Sequence, residues 1–317
     1  MESAPLDIAP PPAAPPRTKS ALGFFAAVMV LYVSLGGPLQ GRAQVLGLAW
    51  TEVFVFLLPA AAAAAASNLR PAAFLRLAHA PRPSWVGLGL AVGAAMFLAA
   101  GGLLSLTAWL LPASWVEAFD VTRIFTGPRE RRLVLALVAS LAAPFAEEVA
   151  FRGYVQGALL TTRRPGAAIA WSALLFAAMH VDPIRFPAVL LLGILFGWLS
   201  WRAGTIWPAV AAHATNNAIG SALVLLGAQE GRTRVEDPRP ALAVLAVAAA
   251  ILALLASAYR AASPAPPTPE ASRLRRDPAD PSIRFRWHHI PAPYLAAGAL
   301  GLALLLGIGA FAVRPTP

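Results

Sequence analysis

The stretch Ala143–Val155, APFAEEVAFRGYV, sets two carboxylates and a guanidinium into a run of apolar residues. Glu147, Glu148 and Arg152 are flanked by sequence that reads as lipid-buried helix. Even on a lenient insertion scale, an ionised side chain at the bilayer centre costs about 2.5–3.5 kcal/mol. Three such groups together require either mutual neutralisation or a chemical task. On a helix, Glu148 and Arg152 share a face and can pair. Glu147 points about 100° away from Glu148 and is left free for something else. Its neighbours Ala143, Ala146 and Ala150 are small, which leaves room beside it for another helix or for water.

The rest of the chain supports a membrane setting. Its 317 residues are 58% hydrophobic and only 13% charged, with a mean hydropathy of +0.65, whereas soluble domains carry about a quarter charged residues. The predicted fold class is all-α, a polytopic integral membrane protein of about 8–9 transmembrane helices. The formal charge of +10 is almost wholly arginine, Lys19 being the sole lysine. These arginines fall in short loops between apolar segments, where anionic lipid headgroups and membrane topology explain them. No nucleic-acid partner is therefore expected. Their distribution favours an N-terminus on the inner side. The abundance of Ala, Pro and Arg suggests a GC-rich bacterial genome and a multi-pass location in the bacterial inner membrane. The absence of cysteine removes disulfides, thiolate metal sites and cysteine nucleophiles.

Hydropathy divides the chain into a disordered Pro-rich tail at 1–20 and N-terminal transmembrane helices at 21–112. A membrane core carrying the polar residues follows at 131–226. C-terminal helices occupy 241–313 and include a polar loop at 260–290. Nine apolar segments are read: Ala21–Leu35, Val45–Ala66, Val86–Leu111, Leu133–Leu160, Ala167–His180, Phe186–Trp201, Ile206–Leu226, Ala241–Tyr259 and Tyr294–Val313.

Two further constellations lie inside apolar segments. In LFAAMH, Phe176 and His180 are four apart. In AAHATNN, His213 and Asn217 are again four apart, in a segment where Thr205 is expected to cap the helix and Pro208 to sit in its first turn. A lone membrane histidine is usually a hydrogen-bonded packing residue. Two histidines, an asparagine and a spare glutamate on three helices suggest a site. His79, His288 and His289 lie in loops beside arginines and read as interfacial.

A carboxylate in a low-dielectric site can act as general base towards water, with a neutral histidine to hold that water. A second histidine and an asparagine can donate hydrogen bonds to an oxyanion. Such a set would hydrolyse an amide without a covalent intermediate. His, His and Glu with an open position is also a usual zinc arrangement, so Glu147, His180 and His213 are the candidate metal ligands. A metal-free mechanism is preferred, because HxxxN places an amide, a poor zinc ligand, where a third strong ligand would be expected. The zincin helix motif, GxSxG, GxGD and a phosphate-binding GxxxxGK loop are all absent.

EEVAFRG, FAAMH and HATNN, taken together and in order, resemble the motifs EExxxR, FxxxH and HxxxN/D of the CAAX protease and bacteriocin-processing (CPBP) family. That family includes the prenyl endopeptidases called CAAX prenyl protease 2 and many Abi-type proteins. The resemblance covers roughly Leu133 to Leu226 and implies an intramembrane endopeptidase, often described as a metalloprotease. Carried over by position, Glu147 would activate water with His180, His213 and Asn217 would form the oxyanion site, and Glu148 and Arg152 would support them. The implied substrate is a peptide or membrane protein, met in the lipid bilayer. Two other readings compete: a catalytically silent scaffold or immunity protein, and a proton-coupled transporter. The catalytic reading expects Glu147 and His180 to share one water, with His213 and Asn217 facing them from the opposite side of a cavity. Straight helices of alternating direction would set His180 farther from the inner face than Glu147 or His213, unless tilt, a re-entrant segment or a shifted helix start levels them.

Overall fold

The computed structural model describes residues 15–67, 70–78, 80–227 and 235–263. Within them the chain is all-helical, without strands. Eight principal helices run in order: α1 (Thr18–Arg42), α2 (Gln44–Ala66), α3 (Pro83–Leu110), α4 (Arg129–Leu160), α5 (Pro165–Met179), α6 (Phe186–Ala203), α7 (Trp207–Leu225) and α8 (Arg239–Ala262). They correspond to the first eight expected apolar segments. The ninth, at 294–313, lies outside the described residues, as do residues 1–14 of the tail, the loop beyond Ser263, His79, His288 and His289. Six of the eight, all but α5 and α7, are long and apolar enough to cross a membrane. At 15 residues α5 is too short by this measure, and α7 carries His213, Thr215, Asn216, Asn217 and Ser221 along its length.

The described end of the tail read as disordered over 1–20 packs against the bundle. Helix α1 begins at Thr18, the Thr161 hydroxyl donates to the Pro16 carbonyl at 2.9 Å, and the Thr18 and Thr162 hydroxyls are 2.8 Å apart.

Three of the long helices are shaped by proline. Pro38, Pro59 and Pro144 each lack an N–H, and each ring crowds the carbonyl four residues earlier. The helix opens into a wide π turn just upstream in every case: Tyr32–Gly36, Thr51–Leu57 and Val138–Ala142. A fourth wide turn, Val149–Val155, follows Glu148 directly and carries Arg152. Such turns occur often at functional sites, because they rotate the side chains that follow them.

Helix α3 packs along α7 and α8 and also touches α6, while α5 lies along α6. The α3–α7 contact depends on Gly93. A Cβ there would collide with the carbonyl oxygen of Ala212, the residue before His213. Gly93→Val should therefore lower stability by about 1–3 kcal/mol, the usual cost of overpacking. It should also weaken activity by moving His213. Thermal melting of the purified variant in detergent checks the first effect, and unchanged melting would show that the helices part easily.

Helices α4 and α5 form a hairpin about residues 161–164, and this levels the site. Counting outward from that turn, Glu147 precedes Leu160 by thirteen residues and His180 follows Pro165 by fifteen. At ~1.5 Å per residue both stand roughly 20 Å from the shared turn. The expected mismatch in depth is absent, because α4 starts at Arg129, earlier than the apolar pattern suggests, and α5 is short.

Candidate active site

The ion pair anticipated from the spacing is present and fully buried. Arg152 Nη1 donates to Glu148 Oε1 at 2.9 Å, and both side chains have 0% exposure. Arg152 Nη2 donates across to the Gly193 carbonyl on α6 at 3.1 Å. One helical turn further along, Gln156 Nε2 donates to the Gly197 carbonyl at 3.0 Å. A Cβ at Gly197 would lie 2.7 Å from Gln156 Oε1, so the absence of a side chain lets α4 reach the α6 backbone. The guanidinium also lies over the rings of Phe176 and Phe196, 4.2 and 5.3 Å from their centroids. The charge is thus held by a carboxylate, a carbonyl and two aromatic faces.

His213 completes the cluster from α7. Its Nδ1 lies 3.0 Å from Glu148 Oε1 and its Nε2 lies 3.8 Å from Glu147 Oε2. Phe196 stacks on the imidazole with centroids 4.7 Å apart, and Phe176 meets it edge-on at 5.9 Å. Glu148 therefore has two partners, the arginine on its own helix and the histidine across the bundle. Its contact with His213 joins α4 to α7 and was not foreseen from spacing, which reports only neighbours on one helix. His213 reaches to both glutamates, where the sequence reading set it opposite them.

His180 follows the last residue of α5. Its Nδ1 lies 2.9 Å from the Phe176 carbonyl. A carbonyl only accepts, so in the neutral ring Nδ1 bears the hydrogen and Nε2 presents a lone pair. Phe176 packs edge-on against His180 at 4.9 Å, so this one ring orients both histidines and Arg152. Thr205, expected as a cap, instead donates its hydroxyl to the Arg76 carbonyl at 3.0 Å. Pro208 does fall in the first turn of α7.

Asn217 is held at both ends of its amide. Nδ2 donates to the Ala139 carbonyl at 2.9 Å, and Oδ1 accepts from Asn216 Nδ2 at 3.1 Å. One hydrogen on Nδ2 is left over. The Ala139 carbonyl belongs to the wide turn before Pro144, so the proline-shaped backbone fixes this residue as well.

A cavity of about 380 Å³ connects these groups; Glu147, His180, His213 and Asn217 all line it. Its wall extends to Thr122 and Phe125 in the connection between α3 and α4, so it reaches the helix ends at one side of the bundle. Glu147 Oε2 is buried there without a hydrogen-bond partner. Sequence reasoning missed Tyr32, Glu52 and Arg185, which line the same cavity. Glu52 did leave a signal, being the sole charged residue between Val45 and Ala66.

Among the described residues, no three His, Asp or Glu side chains gather as a metal-holding set. The candidate trio Glu147, His180 and His213 does not converge as a zinc-holding set in this arrangement.

Comparison with known proteins adds one match. Residues 129–219 match the family model described as Rce1-like, type II CAAX prenyl endopeptidase. No curated protein and no solved structure was found to match the chain. The matched stretch begins with α4 and ends within α7. It takes in Glu147, Glu148, Arg152, His180, His213 and Asn217 and leaves out Tyr32 and Glu52. The six long apolar helices suit a membrane protein, and the matched stretch is similar to a CAAX-type protease domain. Residues 129–219 are therefore similar to the Rce1-like domain of type II CAAX prenyl endopeptidases.

Proposed function

We propose that the protein is an intramembrane endopeptidase in which Glu147 is the general base. The observation that carries this reading is the contrast between adjacent carboxylates. Each has a buried Oε2 without a hydrogen-bond partner, but Glu148 is anchored through Oε1 to Arg152 and His213 and stands outside the cavity lining, whereas Glu147 lines the cavity with no such anchor. A carboxylate left unsatisfied in such a site retains its capacity to take a proton.

In the proposed reaction, a water enters between Glu147 and the lone pair of His180 Nε2. Glu147 takes one proton from that water as its oxygen attacks the scissile carbonyl carbon. The carbonyl π bond opens to an oxyanion, which accepts hydrogen bonds from the spare Nδ2 hydrogen of Asn217 and, when both ring nitrogens of His213 carry hydrogen, from its Nε2. Collapse of the intermediate breaks the C–N bond, and the proton held by Glu147 passes to the leaving amine. Glu148 and Arg152 position this set, since Glu148 Oε1 fixes the Nδ1 side of His213. The extension of the cavity to Thr122 and Phe125 supplies a path for water that bilayer hydrocarbon does not.

The substrate class follows from the setting: a peptide, or a segment of a membrane protein, entering a mostly apolar cavity. We place the protein in a bacterial inner membrane on its composition, with residues 131–226 as the catalytic core. The test is direct. Full-length protein reconstituted in liposomes should cleave members of a diverse peptide library, with new termini identified by mass spectrometry. A catalytically silent scaffold would leave the library intact.

A further inference from the structure

The proposed mechanism uses one of two carboxylates that face the cavity. The other is Glu52, on α2, outside the family-matched stretch. It is 3% exposed, and its Oε2 is buried without a hydrogen-bond partner. The adjacent Thr51 shows what a purely structural polar group looks like here. Its hydroxyl donates to the Gly47 carbonyl at 2.8 Å and accepts from Gln40 Nε2 at 3.0 Å. No such partner reaches Glu52 Oε2.

Two carboxyl groups, those of Glu52 and Glu147, line the cavity. Arg185 is the single Lys or Arg among the described residues that line it. It is already committed: its Nε lies 2.5 Å from Asp182 Oδ2, and its backbone N–H donates to Asp182 Oδ1 at 3.0 Å. Arg152 is likewise engaged by Glu148. Glu147 has His213 Nε2 at 3.8 Å, but among the described residues no hydrogen bond or ion pair to a basic side chain reaches Glu52. Burying a carboxylate without a partner is costly, and a ligand that brings a positive group removes that cost. The cavity that Glu52 lines also has apolar walls, Phe56, Leu104 and Phe176 among them. A cation on an aliphatic stem fits both features, its methylenes against the rings and its head on the carboxylate.

We propose that Glu52 is a substrate-binding carboxylate that receives a positively charged group of the peptide, an ammonium or guanidinium, within the same cavity as Glu147. This rests on the peptide-hydrolase reading above and adds a preference to it: peptides with a cation near the scissile bond are the preferred substrates. The group comes from a Lys or Arg side chain or from the peptide's own amino terminus.

Binding separates this proposal from the cleavage chemistry. Fluorescein-labelled apolar peptides, each carrying one lysine moved stepwise along the chain, are compared with norleucine peptides of the same length. Both sets are prepared with free and with acetylated amino termini, and anisotropy is read with full-length protein in detergent. In at least one register the lysine peptide, or the free-amine peptide, should bind about tenfold tighter than its neutral counterpart. Glu52→Gln should bring that ratio to about one, and Glu52→Asp, which keeps the charge, should retain part of it. A variant that merely loosens the fold weakens both peptides alike and leaves the ratio standing. Loss of the preference on acetylation assigns it to the amino terminus, and loss on the norleucine exchange assigns it to the side chain. Equal binding of charged and neutral peptides in every register, or a preference that survives Glu52→Gln, overturns the proposal. The same measurements in a Glu147→Gln background stand whether or not that variant cleaves, so failure of the endopeptidase reading is seen separately.

Discussion

Glu147→Gln is expected to lose cleavage by about 10²–10⁴-fold, the usual effect of removing a general base, while the protein melts at the wild-type temperature. The two halves of this expectation come from different observations. Glutamine has nearly the same size and keeps an acceptor oxygen, so packing against Ala143 and the cavity wall is preserved. What it cannot do is take a proton from water. Glu147 makes one contact of note, with His213 Nε2 at 3.8 Å, beyond hydrogen-bond distance. Its loss therefore leaves no buried partner stranded. Glu148→Gln, one residue further on, reverses the pattern. That side chain accepts from both Arg152 and His213, so its neutralisation should lower stability, and activity with it. Comparing the two variants by cleavage rate and thermal melting thus separates a proton acceptor from a structural counter-ion. A Glu147→Gln protein that cleaves at near the wild-type rate ends the proposed mechanism.

The parts of this site that were legible in the sequence are those whose information is local. Glu148 and Arg152 are a helical turn apart, and that spacing alone brings them together. The positions of the helices were legible for a similar reason, since a long apolar run in lipid has few other backbone solutions. Contacts across helices were not. The reach of His213 to Glu148 depends on how α7 lies against α4, which no periodicity records. Depth stayed open in the sequence, because it depends on where each helix starts and tilts; the α4–α5 hairpin sets Glu147 and His180 by their distances from a shared turn. Thr205 has a residue type that suits a cap, but the Arg76 carbonyl competes for its hydroxyl. Glu52 belongs to no motif, and only its isolation in an apolar helix marks it. The prolines at 38, 59 and 144 are plain in the sequence. Their consequence, a wide turn ahead of each, appears once the surrounding helix is known to continue through them.

Arg152→Ala is expected to lower stability by about 3–5 kcal/mol, the range for breaking a buried ion pair by removing one partner. The guanidinium serves four neighbours at once: Glu148, the Gly193 carbonyl and the faces of Phe176 and Phe196. Alanine leaves Glu148 with His213 alone, frees a buried carbonyl on α6 and opens a void between two rings. Those same rings hold the histidines, with Phe176 against His180 and His213 and Phe196 stacked on His213. The destabilised protein should therefore also lose activity at temperatures where it remains folded. Arg152→Lys should recover only part of the stability, because an ammonium cannot span Glu148 and Gly193 in the planar fork that the guanidinium provides. The double variant Glu148→Gln, Arg152→Ala supplies the sharper check. It removes the uncompensated charge along with its partner, so its melting temperature should fall by less than the sum of the two single variants. Additive losses would mean that the arginine acts through the aromatic rings and the α6 carbonyl, with the ion pair contributing little.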